Sequence, residues 1–221
     1  MTAATTKGYR GLGMEGAIAH WYDKSTRKDI ERFRTLAARL RTVLPQGGDV
    51  LEVAPGPGHL AIELAKGGAY RVTGLDISRT MVELARKNAA EAGVEADFCR
   101  GNAAAMPFPD ESFDLLACSA AFKNFSEPQA ALREMHRVLR PGGAALILDL
   151  RRDVPMSEIR KYFDTVGLRT VERWLTLATF RFMLLRRAYT RAQFERMLTD
   201  IPFREKEIRN ENIGVELQLR K

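Results

Sequence analysis

The stretch Asp49-Val50-Leu51-Glu52-Val53-Ala54-Pro55-Gly56-Pro57-Gly58-His59-Leu60-Ala61-Ile62-Glu63-Leu64-Ala65 restricts the folds open to this chain more than any other part of it. Val50 to Val53 reads as a short buried strand. After the glycine turn, the apolar positions Leu60, Ala61, Leu64 and Ala65 follow a helical period. Gly56 and Gly58 let backbone approach a ligand, and the helix after them points unpaired N–H groups back at the turn. A second strand, Tyr70 to Leu75, ends at Asp76, an acid placed to accept hydrogen bonds from a ribose diol. The stretch predicts a nucleoside-cofactor site.

Charge narrows the cofactor. Gly56-Pro57-Gly58-His59-Leu60-Ala61 also satisfies the dinucleotide pattern G-x-G-x-x-G/A. Glu52, however, stands at the strand tip, where a pyrophosphate would lie. A carboxylate about 4 Å from a phosphate costs on the order of 4 kcal/mol at an effective dielectric near 20. The same carboxylate attracts the ammonium of S-adenosylmethionine, which carries no phosphate. The plain alternative is a solvated acid at a strand end.

The chain of 221 residues is long enough for one α/β domain with a proper core. Cys99 and Cys118 are too few for a disulfide scaffold or metal cage, and no metal site is expected; they suit a reducing, cytoplasmic setting. Residues 1–7 lack the apolar core of a signal peptide, and no charge-free run matches a membrane span. Most of the net charge of +7 falls in residues 151–221. With no alternation of basic and aromatic residues, it reads as a solvated helical face or an anion contact rather than a nucleic-acid platform.

In chain order, a short helix is expected over Met14–Tyr22, ending at Asp23, and a longer one over Thr26–Leu44, stopped by Pro45-Gln46-Gly47-Gly48. Asp76-Ile77-Ser78 opens the next helix, which ends near Gly93. Glu95–Arg100 and Phe113–Ser119 read as strands separated by a loop. Glu127–Leu139 is a helix with Ser126 as N-cap, ended by Arg140-Pro141-Gly142-Gly143, and Ala144–Leu150 is an apolar strand suited to the middle of a parallel sheet. Pro155–Val166 and Thr170–Tyr189 are expected helices, Thr190-Arg191-Ala192-Gln193 a capping-box start, and Phe203–Arg209 and Ile213–Leu219 closing strands. The alternation of strand and helix over residues 49–150 predicts a doubly wound sheet. The chain divides into an N-terminal helical cap (1–45), a cofactor-binding core (46–150), a helical lid or substrate region (151–200) and closing strands (201–221).

Three patterns occur in order: Glu52 through Gly58 with Asp76; Gly101-Asn102 through Pro107-Phe108-Pro109-Asp110-Glu111-Ser112-Phe113-Asp114; and Arg137-Val138-Leu139-Arg140-Pro141-Gly142-Gly143. Together they resemble the class I S-adenosylmethionine-dependent methyltransferases, in the ubiquinone/menaquinone-biosynthesis-like group that acts on small molecules. The resemblance covers roughly residues 20–150 and the closing strands. It implies a Rossmann-like α/β fold: a doubly wound, mostly parallel seven-stranded sheet whose last strand is antiparallel, with N-terminal helices and a helical lid. It also implies S-adenosylmethionine as methyl donor, with Glu52 facing the methionine amine and the backbone of Ala54, Gly56 and Gly58 its methionyl end. Asp76 would hold the ribose, Ile77 flank the adenine and Asn102 pair with the adenine amino group, Ala103 and Ser119 completing the contacts. Asn102 stands where the family commonly has Asp, and Ala54 where it commonly has Gly; an amide oxygen still accepts the adenine bond.

Ligands of open α/β sheets lie beyond the carboxyl ends of the strands. That places Ser119, Ala120, Phe122, Lys123 and Asn124 near the methyl group, with Asp149, Arg151 and Arg152 approaching from the next strand. His20, Tyr22 and Lys123 are the candidate catalytic residues, His20 as general base. Lys123 reads equally as an anchor for an anionic acceptor or a solvated loop lysine, and His20 equally as a helix-surface histidine. His136 and Cys118 read as structural. The apolar run from Val171 to Leu185 fits a lid over an apolar substrate, a homodimer face or a membrane-surface contact. The expected activity is methyl transfer to a small apolar or aromatic molecule. An NAD-dependent oxidoreductase and a non-catalytic cofactor-binding protein are the alternatives.

Overall fold

The computed structural model describes residues 8–11, 13–166 and 184–221. Seven strands form one sheet: β1 (Gly48–Val53), β2 (Tyr70–Asp76), β3 (Asp97–Arg100), β4 (Phe113–Ser119), β5 (Leu139–Leu150), β6 (Glu205–Glu211) and β7 (Gly214–Arg220). Their order is β3-β2-β1-β4-β5-β7-β6. The first five pair in parallel, and β7 runs antiparallel between β5 and β6. This is the mostly parallel doubly wound architecture expected from the sequence.

Period-2 alternation assigns each strand two cores. Val50, Val72, Leu115, Ala117 and Leu146 face a layer built from α2 (Ile30–Val43), α3 (His59–Ala65) and α4 (Arg79–Ala92). Their sequence neighbours Leu51, Leu116, Cys118 and Ile147 face the opposite layer, with α5 (Pro128–Val138) and a late helix over Arg191–Leu198. The remaining helices are α1 (Gly16–Arg27) and α6 (Met156–Val166), so the late helix is α7. Parallel strands covered on both faces explain why the sequence runs are nearly all apolar.

Several elements differ from their sequence reading. Asp23 does not end the first helix. Its carboxylate is buried among side chains of α4 and α1, and α1 continues to Arg27. Ser126 does not cap α5: its Oγ is buried without a partner, Glu127 holds the cap position and Pro128 opens the helix. Arg140-Pro141-Gly142-Gly143 does not separate helix from strand. β5 begins at Leu139, pairs with Phe113, and then shifts register through Gly142 at φ +81°, a bulge inside one strand. The Thr190 box forms with both of its hydrogen bonds. Of the apolar helix expected over Thr170–Tyr189, residues 170–183 lie outside the described residues.

The motif after Gly101 is shaped by one guanidinium. Arg137 donates to the carbonyls of Phe108 (2.8 Å) and Met106 (3.1 Å) and to Asp110 (2.7 Å), while Glu134 accepts the Met106 N–H (2.7 Å). Paired with Glu134, this arginine holds the loop against α5.

Phe194, fully buried on α7, packs on Phe122 and Tyr189 at ring separations of 5.4 and 5.6 Å. Truncating it leaves a cavity under the carboxyl ends of β4 and β5. Phe194→Ala should lose about 3–5 kcal/mol of stability, measured as a fall in the denaturant midpoint at unchanged slope.

Candidate functional site

The carboxyl ends of β1, β2 and β4 converge where the parallel crossovers leave the sheet. β1 gives way to Ala54, which adopts φ +58°, and Gly56 and Gly58 follow at φ +55° and +81°. Gly58 is the N-cap of α3, and a Cβ there would lie 3.0 Å from both Ala85 Cβ and Phe98 Cζ, so only glycine closes this turn. At Gly56 the nearest neighbour of such a Cβ is the Tyr22 ring, at 3.7 Å. β4 ends similarly, with Ala120 at φ +57° after the half-buried Ser119. Left-handed alanines at two adjacent strand ends carry local strain.

Glu52 is buried at the tip of β1, and its Oε2 has no hydrogen-bond partner. Burial pushes its carboxyl up to about 8; the Ala61 N–H opposes this in part, and the Asp76 carboxylate adds to it. Asp76 is also buried. Its Oδ2 accepts the Gly56 N–H (3.0 Å) and its Oδ1 the Ser78 N–H (2.9 Å). Burial raises it to about 6 despite those bonds. Two desolvated carboxyl groups therefore stand beside one glycine turn, and among the described residues no cation pairs with Glu52.

Tyr22 comes to the site from α1. Burial raises its phenol, Arg32 opposes this, and the carboxylates of Asp76, Glu52 and Asp149 push it further up. The ring is thus within electrostatic reach of all three acids. His20, two residues earlier, is exposed on the outer face of α1. Of the two, the Tyr22 ring is the one beside the turn, and His20 is open to solvent on the same helix.

Lys123 is neither a solvated loop lysine nor an open anion anchor. It is buried in the short 3-10 turn Phe122–Asn124, its Nζ 3.0 Å from Asp149 Oδ1 and also bonded to the Ala120 carbonyl. Asp149 Oδ2 accepts the Lys123 N–H (2.7 Å), so both ends of the residue close on one acid. Ion pair and backbone bond together fix the loop after β4.

On the expected adenine side, Ile77 is half-buried and Ala103 buried. Asn102 Oδ1 accepts the Ala104 N–H (3.0 Å), an Asx turn that occupies part of its acceptor capacity. Gly8 lies between Ile77 and Asn102: a Cβ on it would be 2.5 Å from Ile77 Cδ1 and 3.0 Å from Asn102 Oδ1. The backbone there is held by Ser126 N–H to Gly8 O (3.2 Å) and Arg10 N–H to Asn124 O (2.7 Å). No sequence signal marked residues 8–11 as part of the site. Cys118 is buried with its thiol pushed up by burial, and His136 packs edge-on against Phe203 at 4.9 Å; both are structural. Among the described residues no group of His, Cys, Asp and Glu could hold a metal ion, and no helix is long and apolar enough to cross a membrane.

Glu52 supplies a pH test. A carboxyl raised from 4.5 to about 8 by folding keeps its proton in the native chain while the unfolded chain has lost it. Stability therefore falls as pH rises through that window. Glu52→Gln cannot ionise, so its melting temperature should exceed that of the unaltered chain by a margin that widens from pH 5 to pH 9. Calorimetric melting at several pH values reads this, and a constant margin would contradict it.

Comparison with known proteins follows the same lines. A family profile described as a methyltransferase domain matches residues 50–143. The ubiquinone/menaquinone biosynthesis C-methyltransferase UbiE of Roseobacter denitrificans is 29% identical over 189 residues, covering 80% of this chain and 75% of that protein. The demethylmenaquinone methyltransferase of Deinococcus radiodurans is 35% identical over 147 residues, 65% of this chain and 61% of that one. The chain spans about half the length of further curated relatives of the first description. Among solved structures, a Methanococcus maripaludis protein provisionally assigned as an S-adenosyl-L-methionine-dependent methyltransferase superposes with TM-score 0.74. It is 21% identical, with 96% of this chain and 97% of that one covered, and shows the shared fold.

Proposed function

We propose that this chain is a class I S-adenosylmethionine-dependent methyltransferase that transfers a methyl group from S-adenosylmethionine to a small apolar or aromatic acceptor. The observation that carries the cofactor half is the buried, unpartnered Oε2 of Glu52 beside Asp76. A cation with N–H donors satisfies it; a diphosphate would face two carboxylates instead.

Residue roles follow from that fit. Glu52 holds the ammonium of the methionyl end, against the backbone of Ala54, Gly56 and Gly58. Asp76 turns its two oxygens from the Gly56 and Ser78 N–H groups toward the ribose diol. Ile77, Asn102 and Ala103 bound the adenine, which requires the Gly8 backbone to lift from between them. When bound, S-adenosylmethionine supplies a methyl group on a cationic sulfur, primed for in-line displacement.

The chain's remaining work is alignment and exclusion of water. Tyr22 covers Gly56 from the cap side, and Ser119 and Ala120 end β4 beside the turn. The Lys123–Asp149 pair fixes the backbone of that loop. Beneath it, the buried Phe122, Phe125 and Phe194 rings back the half-buried Tyr189, whose ring suits an apolar or aromatic acceptor. The relatives named for ubiquinone and menaquinone biosynthesis support a ring-bearing acceptor. His20 is the candidate proton acceptor for an acceptor that must lose a proton. The homodimer and membrane-surface contacts expected of the 171–185 run fall mainly on residues 171–183, which lie outside the described ones.

Calorimetry with S-adenosylmethionine, S-adenosylhomocysteine and NAD tests the cofactor. The first two should bind, and Asp76→Ala should weaken them by about tenfold or more; binding of NAD alone would reject the reading. Labelled methyl donor offered with phenols and quinols should label the acceptor. His20→Ala should lower that turnover while leaving cofactor affinity unchanged, and an unaltered rate removes His20 from the chemistry.

A further inference from the structure

Behind the glycine turn lies a buried polar cluster that the reaction itself does not use. Asn88 of α4 is buried, and its Nδ2 donates to the Pro57 carbonyl (2.9 Å) and to Asp23 Oδ1 (3.0 Å). Its Oδ1 accepts from Arg27 (2.7 Å), which also reaches Asp23 Oδ2 at 3.4 Å. The amide is fully used, and flipping it would set its oxygen against two acceptors, so its orientation is fixed. Proline has no N–H, so the carbonyl is the one polar group Pro57 offers. Asn88 grips the turn by it.

The partners of Asn88 tie the same point to α1. Asp23 and Arg27 belong to α1, and Tyr22, adjacent to Asp23, is the residue whose ring faces Gly56. The start of α1 is fastened separately: Glu15 accepts the Arg79 and Thr80 N–H groups at the start of α4, each at 3.0 Å. His59, the first residue of α3, borders the cluster: its buried Nε2 lies 3.3 Å from Asp23 Oδ1 without a hydrogen bond, and its ring is 5.4 Å from that of Phe33. Burial holds its imidazole below the ordinary histidine range and so uncharged at neutral pH.

We infer that Asn88 and Asp23 are positioning residues that clamp α1 to the back of the cofactor turn, so that seating Tyr22 over Gly56 and binding the cofactor are one coupled event. The inference rests on the cofactor reading above and adds to it how the cap is coupled to the turn. One side of the turn faces the ligand and Tyr22; the other is held through Pro57. A cap released from Asn88 no longer sets the distance between Tyr22 and Gly56, and cofactor then binds a turn whose cover is not pre-organised.

The test uses the full chain and S-adenosylhomocysteine. Asn88→Ala should raise its Kd about tenfold and raise KM for S-adenosylmethionine similarly, with kcat at saturation within about threefold of the unaltered enzyme. Hydrogen exchange of Gly16–Arg27 should slow when the ligand is added to the unaltered chain and not when it is added to Asn88→Ala. Asp23→Asn keeps an acceptor for the amide and should stay within about threefold of normal affinity. Asn88→Asp, the same size with the donors removed, should bind at least tenfold more weakly. A lowered melting temperature with an unchanged Kd would make the cluster merely structural and overturn the inference. Should Asn88→Ala fail to fold, Asp23→Asn and Asn88→Asp decide the question, and equal affinities overturn it. Failure of the unaltered chain to bind S-adenosylhomocysteine would instead overturn the cofactor reading, and the inference with it.

Discussion

Burying the Glu52 carboxylate at the end of a central parallel strand, with one oxygen unsatisfied, is the constraint around which the site is arranged. In a packed interior an unpaired acid is costly, and such groups give up their charge rather than bear the cost. The position is tolerated because folding leaves the acid protonated; on the proposed function, a cationic partner would restore its charge. Asp76 repeats the arrangement one strand over with its oxygens lent to backbone N–H groups. On the proposed function, the stability given up at two adjacent strand tips would return as selectivity for the charge a ligand brings.

The turn between those acids is held from both sides. Gly58 has no room for a side chain against Ala85 and Phe98, and Pro57 presents its carbonyl to α4. The left-handed conformations of Ala54 and Ala120 show that the sheet imposes the bend and the side chains accommodate it. Burial also decides the fate of Lys123, whose charge is answered by Asp149 inside the fold and is not offered to a ligand.

Much of this was legible in the residues because it depends on local periods. The switch from strand to helix across Gly56 and Gly58, the acid after β2 and the alternation to residue 150 anticipate the sheet and the glycine turn between two acids. What escaped reading depends on contacts distant in sequence. Nothing local says that Asp23 meets Asn88, 65 positions away, so an acid that looked like a helix stop is an interior partner. Lys123 looked free because its partner lies on the next strand. Arg140 to Gly143 carries the composition of a turn, yet its flanks Leu139 and Ala144 both pair with β4, and Gly142 and Gly143 exchange backbone hydrogen bonds with Lys221, which keeps it within a strand. The placement of Gly8 against Ile77 was equally beyond reach, since a glycine near the N-terminus has no pattern to declare its neighbours.

Among the described residues, the two packed layers form separate apolar clusters on opposite faces of the sheet. Leu51 answers to α5 and α7, while Val50, one position earlier, answers to α2, α3 and α4. Substitutions on opposite sides share few partners, and their energetic effects should add nearly independently. The aromatic layer could therefore drift, or be redesigned for a different guest, while the helices that brace the glycine turn keep their shape. A sheet used as a partition lets one half of such a molecule change its trade while the other half keeps the tool.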